Sequence, residues 1–429
     1  MTAPTVRALA CPTCGAAITL RTFGQAETVA CGHCGTVLDA RDPNLRVLQR
    51  WTAAQRAEPL IPLGTRGTLH GDPWEVVGFQ VRGITVDGVE YRWREYVLFN
   101  PYKGFRYLTE YDWHWSDVVV LEKVLDVRTR AGRPEATVDG TRFRHFQSAT
   151  AVTRFVLGEF PWQVRTNDQA RVRDYVAPPR MLSAEDTEGE RETSWSMGTY
   201  VSGADLWKAF GLSGRPPAPR GVYANQPSPY VPHLGWLWKL YALFLLLVVL
   251  LALGNSAIAR NELVLVEDHR YDPASGGEGA YVTAPFTLDG RTANVEVRAE
   301  TDLSQNWIFL DYALIDEGSG RARDFGRTVS YYTGRDSDGS WTEGSRHDAA
   351  RISSVPPGRY YLRVAHEGNP GGRPVGYRLS VRRDVPTFGF YLAAVLLLLV
   401  PPGWTSFRAA SFESRRWSES DYAPDDDEE

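Results

Sequence analysis

The chain has 429 residues, of which 43% are hydrophobic, 23% charged and 12% aromatic, with a formal net charge of −5. That length suits two to four domains, and that composition excludes a wholly disordered, collagen-like or disulfide-dense small protein. The mild acidity leaves no basic surplus or stripe, so no specific nucleic-acid binding is expected. A mean hydropathy of −0.32 reads as soluble, yet it conceals two long apolar runs.

All four cysteines lie at the start, as Cys11-Pro-Thr-Cys14-Gly15 and Cys31-Gly-His-Cys34-Gly35. Two such knuckles can set four thiolates around one tetrahedral Zn²⁺, so Cys11, Cys14, Cys31 and Cys34 are expected to hold a structural zinc in a ribbon over residues 8–40. Gly15 and Gly35 follow each pair, where a tight knuckle favours a residue tolerant of positive φ. The alternatives are two disulfides or a redox C-x-x-C pair. A redox motif opens a helix in a βαβ unit, and the sequence shows none. His33 sits inside the second knuckle and is read as a bystander. A closed thiolate set leaves no open position for substrate, so no catalytic metal is expected. Thiolate sites belong in reducing surroundings, and the first residues carry no apolar core of signal-peptide length. Both observations place this segment in the cytoplasm.

Residues 58–212 read as a cytoplasmic β-rich domain. Strand patterns begin near Pro62 and recur at Trp74-Glu-Val-Val-Gly-Phe-Gln-Val-Arg82, Tyr91 to Asn100, Phe105 to Tyr111 and Trp113 to Leu121, with turn signals at Asp87-Gly88 and at residues 101–104. Alternating aromatic and β-branched residues between Gly, Pro and Asn predict an antiparallel meander. The pattern resumes at residues 137–146, around a turn at Asp139-Gly140, and at residues 158–175. A short helix is expected at residues 205–210.

Leu63-Gly64, Trp74-x-Val-x-Gly78-Phe79, Trp93-x-Glu95-Tyr96-x-Leu98 and Gly104-Phe105-x-x-Leu108 resemble the bacterial domain-of-unknown-function family 4178. Glu192-Thr-Ser-Trp195-Ser-x-Gly198-x-Tyr200 and Asn225-Gln226-Pro227 are similar to that family too, and a preceding zinc ribbon is a common companion of it. The resemblance covers residues 11–232. It implies a β-rich cytoplasmic domain and brings no activity or catalytic residues with it.

Residues 213–233 are rich in Pro and Gly and read as a tether. Residues 234–254 form an apolar run whose only charge is Lys239, long enough to cross a bilayer as a helix. Trp236, Trp238 and Tyr241 suit its headgroup end. Residues 260–384 give a second all-β reading, an extracytoplasmic β-sandwich. Its strands are expected at residues 282–288, 294–298, 307–316, 328–332, 359–365 and 377–383. Asp336-Ser-Asp338-Gly339 resembles part of a Ca²⁺ loop, with Glu343 nearby, but lacks the bidentate Glu of an EF-hand; the competing reading is a polar turn. Residues 385–404 carry no charge and form the second span, which ends at Pro401-Pro402. Residues 405–429 are a cytoplasmic tail; from Trp417 onward it has seven acidic residues and no basic one, and it should be disordered and solvated.

Fold class is therefore mostly β in a multidomain membrane protein: zinc ribbon, cytoplasmic antiparallel β-domain, and two transmembrane helices flanking an extracytoplasmic β-sandwich. Arg408, Arg415 and Arg416 favour a cytoplasmic C-terminus, Arg382 and Arg383 oppose it, and the cysteines settle the orientation with both ends inside. The expected location is a bacterial cytoplasmic (inner) membrane, a coding bias suggested by only four lysines among many arginines. Partners are the lipid bilayer and proteins bound through the β-domains; the extracytoplasmic ligand is not defined by the sequence.

Glu95, Asp112 and His114 invite a general acid–base reading. Against it, Glu95 is expected to pair with Arg92 or Arg94, and His114 to pack at a hairpin bend. The 14 Trp, 20 Tyr and 17 Phe could line a groove or fill small β cores. Without a phosphate loop, nucleophile elbow or H-E-x-x-H helix, the function expected is a non-enzymatic membrane-anchored scaffold or sensor. The alternative is an enzyme or enzyme subunit whose site lies in the cytoplasmic β-domain, gathering Glu95, His114 and Arg94.

Overall fold

The computed structural model describes residues 7–50, 57–86, 88–187, 193–273, 279–337, 339–369 and 372–423. They fall into two units, residues 1–235 with 403–429, and residues 236–402.

The first unit opens with a two-stranded ribbon, β1 (Arg7–Ala10) and β2 (Ala17–Leu20). Three short strands follow, β3 (Thr28–Ala30), β4 (Val37–Asp39) and β5 (Val47–Gln49), then β6 (Arg66–Leu69). The expected meander is present as β7 (Asp72–Val86), β8 (Val89–Asn100), β9 (Gly104–Tyr111) and β10 (His114–Leu121), each strand antiparallel to the next. A hairpin, β11 (Val127–Arg130) and β12 (Arg133–Val138), leads into the long β13 (Thr141–Phe160). Asp139 and Gly140 both take positive φ in that turn, as an Asp-Gly hairpin requires. β14 (Gln169–Ala177), β15 (Arg180–Thr187) and β16 (Thr193–Val201) complete the set.

In space the strands run β13-β14-β15-β16-β10-β9-β8-β7, and β7 pairs back onto β13, closing an eight-stranded barrel. The closure is made where two glycines face each other, Gly78 on β7 and Gly158 on β13. A Cβ on Gly78 would strike the Glu159 carbonyl oxygen, and one on Gly158 would strike Leu63 and the Val77 carbonyl oxygen. Only glycine allows backbones this close.

Strand alternation gives the barrel two faces. Outside, Trp74, Val76, Phe79, Tyr96, Leu98, Leu108 and Trp115 form a core with Ile61 and with Leu206 and Phe210 at the end of helix α1 (Gly203–Ala209). Inside, Val77, Val97, Phe99, Val156 and Phe160 pack with Ala30 and Val37 of the cysteine module. β3 also pairs with β13, with Ala30 opposite Gly158. The hairpin β3–β4 around the second cysteine pair is thus built into the barrel sheet, while β1–β2 forms a sheet of its own.

The segment after α1 is not a free tether. Asn225 is fully buried and donates from Nδ2 to Ser116 Oγ at 2.9 Å. Tyr223 stacks on His114 with ring centroids 5.4 Å apart. Its polar residues found buried partners on strands far away in sequence, which composition alone does not reveal.

Two long helices, α2 (Val231–Ile258) and α3 (Gly389–Trp417), are apolar and long enough to cross a membrane. Both exceed the expected spans. α3 does not stop at Pro401-Pro402 but runs through them, as helices in apolar surroundings can when neighbouring groups take up the freed carbonyls. Its continuation buries Ala409, Phe412 and Arg416, one face at spacings of three and four. Nor is the start of the tail solvated: Trp417 packs on Phe146, and Asp421 N–H donates to the Phe146 carbonyl at 3.0 Å. Residues 424–429 lie outside the described residues.

The second unit holds β17 (Glu262–Tyr271), β18 (Ala280–Val282), β19 (Phe286–Leu288), β20 (Ala293–Thr301), β21 (Asn306–Asp316), β22 (Ala322–Asp336), β23 (Gly339–Ser345), β24 (His347–Val355), β25 (Gly358–Gly368) and β26 (Val375–Arg383). They form a four-stranded sheet, β17-β26-β20-β24, and a second sheet in the order β18-β25-β21-β22-β23 with β19 also on β25. Val297 and Leu379 of the first sheet share one core with Leu310 and Leu362 of the second. The single strand expected at residues 282–288 is broken into β18 and β19, which Pro285 separates. Asp336 and Gly339 are paired at the end of the β22–β23 hairpin, and Asp338 lies outside the described residues.

Candidate metal centre

The two cysteine knuckles have the same backbone. Gly15 N–H donates to the Cys11 carbonyl at 2.8 Å and Cys11 N–H to the Ala16 carbonyl at 2.8 Å; Gly35 to Cys31 at 2.8 Å and Cys31 to Thr36 at 3.0 Å repeat the pattern. Gly15 and Gly35 take φ of 73° and 71°, as each knuckle demands. The four Sγ atoms lie within 4.8 Å of one another. Cys11 and Cys34 are 3.7 Å apart, Cys14 and Cys31 3.8 Å. A tetrahedral ion with bonds of about 2.3 Å to sulfur sets its ligands about 3.8 Å apart, whereas a disulfide needs about 2.05 Å. The four cysteines can therefore hold one metal ion, and they are not disulfide-bonded.

Burial pushes the Cys31 thiol up to about 12 in the metal-free chain. A neighbouring dication is what would draw off that proton, so metal binding and thiol ionisation are linked. Thr36 Oγ1 lies 3.2 Å from Cys34 Sγ and can orient that ligand. His33 is exposed and is not among the four clustered ligands.

A buried carboxylate ties this module to the barrel. Glu159, 1% exposed, accepts from Arg21 N–H at 2.6 Å, Thr22 N–H at 3.1 Å and Thr22 Oγ1 at 2.6 Å. Burial raises its carboxyl above the ordinary range despite these donors. Arg21 also reaches Glu75 at 2.8 Å. Sequence reasoning missed both contacts, because neither has a local signature.

The expected acid–base residues are only partly gathered. Glu95 does not pair with Arg92 or Arg94. It accepts from Gln80 Nε2 at 2.5 Å and Trp93 Nε1 at 2.6 Å, with Arg82 at 3.7 Å. Arg92 pairs with Glu90 and Arg94 with Glu110. Adjacent residues on a strand face opposite ways, so Arg94 points away from Glu95. Arg82, 8% exposed, also makes two hydrogen bonds to Glu185 on β15 at 3.0 and 2.8 Å. β7 and β15 are three steps apart in the sheet, so this pair crosses the barrel interior. Asp174 accepts from Ser183 and Gln147 there, and burial raises its carboxyl. Asp112 is an exposed turn residue with φ of 45°. His114 is buried at the start of β10, between Tyr200 Oη at 3.1 Å and the Arg220 carbonyl at 2.8 Å. Burial lowers its imidazole below the ordinary value.

Within the first unit, the end of α3 is fastened to the segment that precedes α2 and to β13. Arg416, 1% exposed, donates to the carbonyls of Tyr223 at 2.8 Å, Ala224 at 2.7 Å and Gln226 at 2.6 Å, and pairs with Glu413. Arg408 donates to Tyr230 Oη at 2.6 Å, just before α2 begins. His145 Nδ1 lies 2.9 Å from Tyr422 Oη, and Ser148 N–H donates to Asp421 at 2.8 Å.

A thiolate module sharing the sheet of a closed antiparallel barrel, itself clamped to the end of one apolar helix, defines a class by architecture and not by a reaction. Residues 62–203 match the family model for "Domain of unknown function (DUF4178)", and this segment is a domain of that family. The match spans the whole barrel and ends at Gly203, where α1 begins. The motif residues Trp74, Gly78, Phe79, Tyr96, Leu98 and Leu108 serve closure and packing. No curated protein matches the chain. Among solved structures, an infectious bursal disease virus Gt strain structure is similar over 85% of this chain at 12% identity, with a TM-score of 0.18. This chain covers 64% of that one, under two thirds of its length. PNGF-II is similar over 72% of this chain and 67% of its own, at 7% identity and a TM-score of 0.17. Likenesses this low carry no argument.

Proposed function

We propose that the chain is a non-enzymatic scaffold or sensor of a bacterial cytoplasmic membrane, crossing it twice with both ends inside. α2 and α3 are the spans, and the sheets between them form an extracytoplasmic β-sandwich. The cysteine module and barrel lie in the cytoplasm, where thiolates stay reduced, and the four cysteines hold a structural Zn²⁺. The observation that carries this reading is the Arg416 clamp. It fixes the end of α3 to residues 223–226, the segment that reaches the barrel interior through Tyr223 and then becomes α2. Two helices joined to one buried segment give a route by which the extracytoplasmic domain can bias the barrel's contacts with protein partners.

The enzyme alternative has less support, since Arg94 faces away from Glu95 and the Glu95 oxygens are engaged by Gln80 and Trp93. Labelling of the full chain in spheroplasts with a membrane-impermeant maleimide tests the topology. A cysteine introduced by Ser319→Cys should react and one introduced by Ser420→Cys should not. Labelling of both, or of neither, overturns the two-span orientation.

A further inference from the structure

The second unit contains a cavity of about 290 Å³ lined by Ile258, Arg260, Asp289, Arg291, Arg383 and Asp384. Ile258 is the last residue of α2, and Asp384 lies five residues before α3 begins at Gly389. Three guanidinium groups thus meet two carboxylates where both apolar helices end, leaving one net positive charge.

Arg383 is the informative residue. It is 1% exposed, and its Nε and Nη2 donate to the carbonyls of Asp289 at 2.9 Å and Arg291 at 2.5 Å. Its Nη1 is buried and has no hydrogen-bond partner among the described residues. A buried cation with an unused donor is costly unless something completes it. Asp384 does not do so. Its carboxylate accepts from Arg291 Nη2 at 3.1 Å and from Arg260 N–H at 3.2 Å. Burial lowers the Arg383 guanidinium below its ordinary range, the direction expected of a cation short of counter-charge. Arg260 stands beside the cavity with an exposed guanidinium that makes no hydrogen bond or ion pair among the described residues.

We propose that this cavity is an anion site for a phosphate group, supplied by an anionic lipid headgroup or as free phosphate. Phosphate oxygens suit guanidinium donors set in a fork; Arg260 offers an exposed one at the cavity, and Arg383 a buried one whose Nη1 is unused. The lipid source rests on the membrane reading above: with α2 as a span, Ile258 brings the cavity to the depth of the headgroups, where the phosphate is already concentrated. The site would then fix the base of the β-unit against the bilayer surface.

The test uses the full chain in a mild detergent, with thermal-shift titrations against short-chain phosphatidylglycerol, the matching phosphatidylcholine, and sodium phosphate. Arg260→Gln removes one free donor and no side-chain hydrogen bond or ion pair among the described residues. It should weaken binding about fivefold or more, the worth of one surface arginine near an anionic phosphate. Arg270→Gln, at the far end of β17, should match the wild type. Arg260-dependent preference for phosphatidylglycerol over phosphatidylcholine supports the site with lipid as its source. Arg260-dependent binding of sodium phosphate without lipid preference supports it with free phosphate. Binding of neither, or equal binding by the wild type and Arg260→Gln, overturns the proposal. Failure of the membrane reading would appear separately in the maleimide labelling and leaves the phosphate titration interpretable.

Discussion

Replacing Arg416 by methionine removes a buried cation while keeping most of its apolar bulk. The guanidinium makes three contacts of 2.6–2.8 Å to main-chain carbonyls, and a charge-assisted hydrogen bond contributes about 1.5–3 kcal/mol. Their simple sum would be about 5–9 kcal/mol, but water recovers part of it when the segment opens. Glu413 is 42% exposed and adds about 1 kcal/mol or less. A loss of about 3–5 kcal/mol, as for breaking other buried ionic contacts, is therefore expected. At 1.4 kcal/mol per tenfold, the docking equilibrium of α3 should shift by roughly two to four orders of magnitude. Hydrogen exchange of the full chain in nanodiscs reads this directly. Amides of residues 220–230 and 405–423 should exchange faster by that order, with barrel strands β7 and β8 unchanged. Arg416→Lys, which keeps the charge with fewer and more flexible donors, should fall between the two. If Arg416→Met leaves exchange in both segments as in the wild type, the clamp does not hold α3 to the barrel.

Two further outcomes follow from the same geometry. Cys31→Ser should lower the zinc-to-protein ratio from about one to near zero by elemental analysis and raise protease sensitivity between Arg21 and Arg41. Because Ala30 and Val37 pack with barrel residues, it should also lower the barrel's Tm by several degrees; an unchanged metal content ends the zinc assignment. Burial holds His145 below its ordinary value of 6.5 beside Tyr422, so the undocked chain takes up the proton first and docking of residues 417–423 weakens as pH falls below about 6.5. Asp421 and Asp174 oppose that shift, so the comparison is with His145→Gln, in which the pH dependence of exchange in this segment should flatten.

What could be read from the sequence was what local pattern encodes. The cysteine spacing, the Gly15 and Gly35 knuckles, the Asp139-Gly140 hairpin and the meander from β7 to β10 all rest on neighbours a few residues apart. Barrel closure does not. β7 meets β13 across some seventy to eighty residues of chain, and its only local trace is a glycine at each crossing point, Gly78 and Gly158. The stretch after α1 reads as a tether because it is rich in Pro and Gly; the burial of Tyr223 and Asn225 depends on His114 and Ser116 of β10, far away in sequence. Asn225-Gln226-Pro227 had drawn attention as a motif, which was the usable signal. Acidic residues likewise hid Trp417 and Tyr422, aromatics that a purely solvated tail has no need of. β23 and β24 carry few apolar residues and are largely exposed, so no alternating pattern marks them; in β17 the apolar run Leu263 to Val266 does not alternate with polar residues.

On the proposed reading, the barrel interior is the part of the molecule with a discrete choice to make. Arg82 spans it to Glu185, Asp174 sits buried between Ser183 and Gln147, and Tyr223 enters over His114. Burial, and next to it the Asp174 carboxylate, raises the Tyr223 phenol above its ordinary range, so the ring belongs inside in its neutral form. Withdrawing the segment would also unpair the buried Asn225 from Ser116, at about 1–3 kcal/mol for each group left unmet. Such a cost keeps the withdrawn state a minor one, on the order of 1% for about 3 kcal/mol. It remains within reach of a change in how α2 and α3 are held. A helix displacement that broke the Arg416 contacts would remove the clamp and pull on residues 223–226 together, because both act on the same four residues. Coupling of this kind needs no catalytic group. It needs a buried segment with two positions, and two helices that bias it.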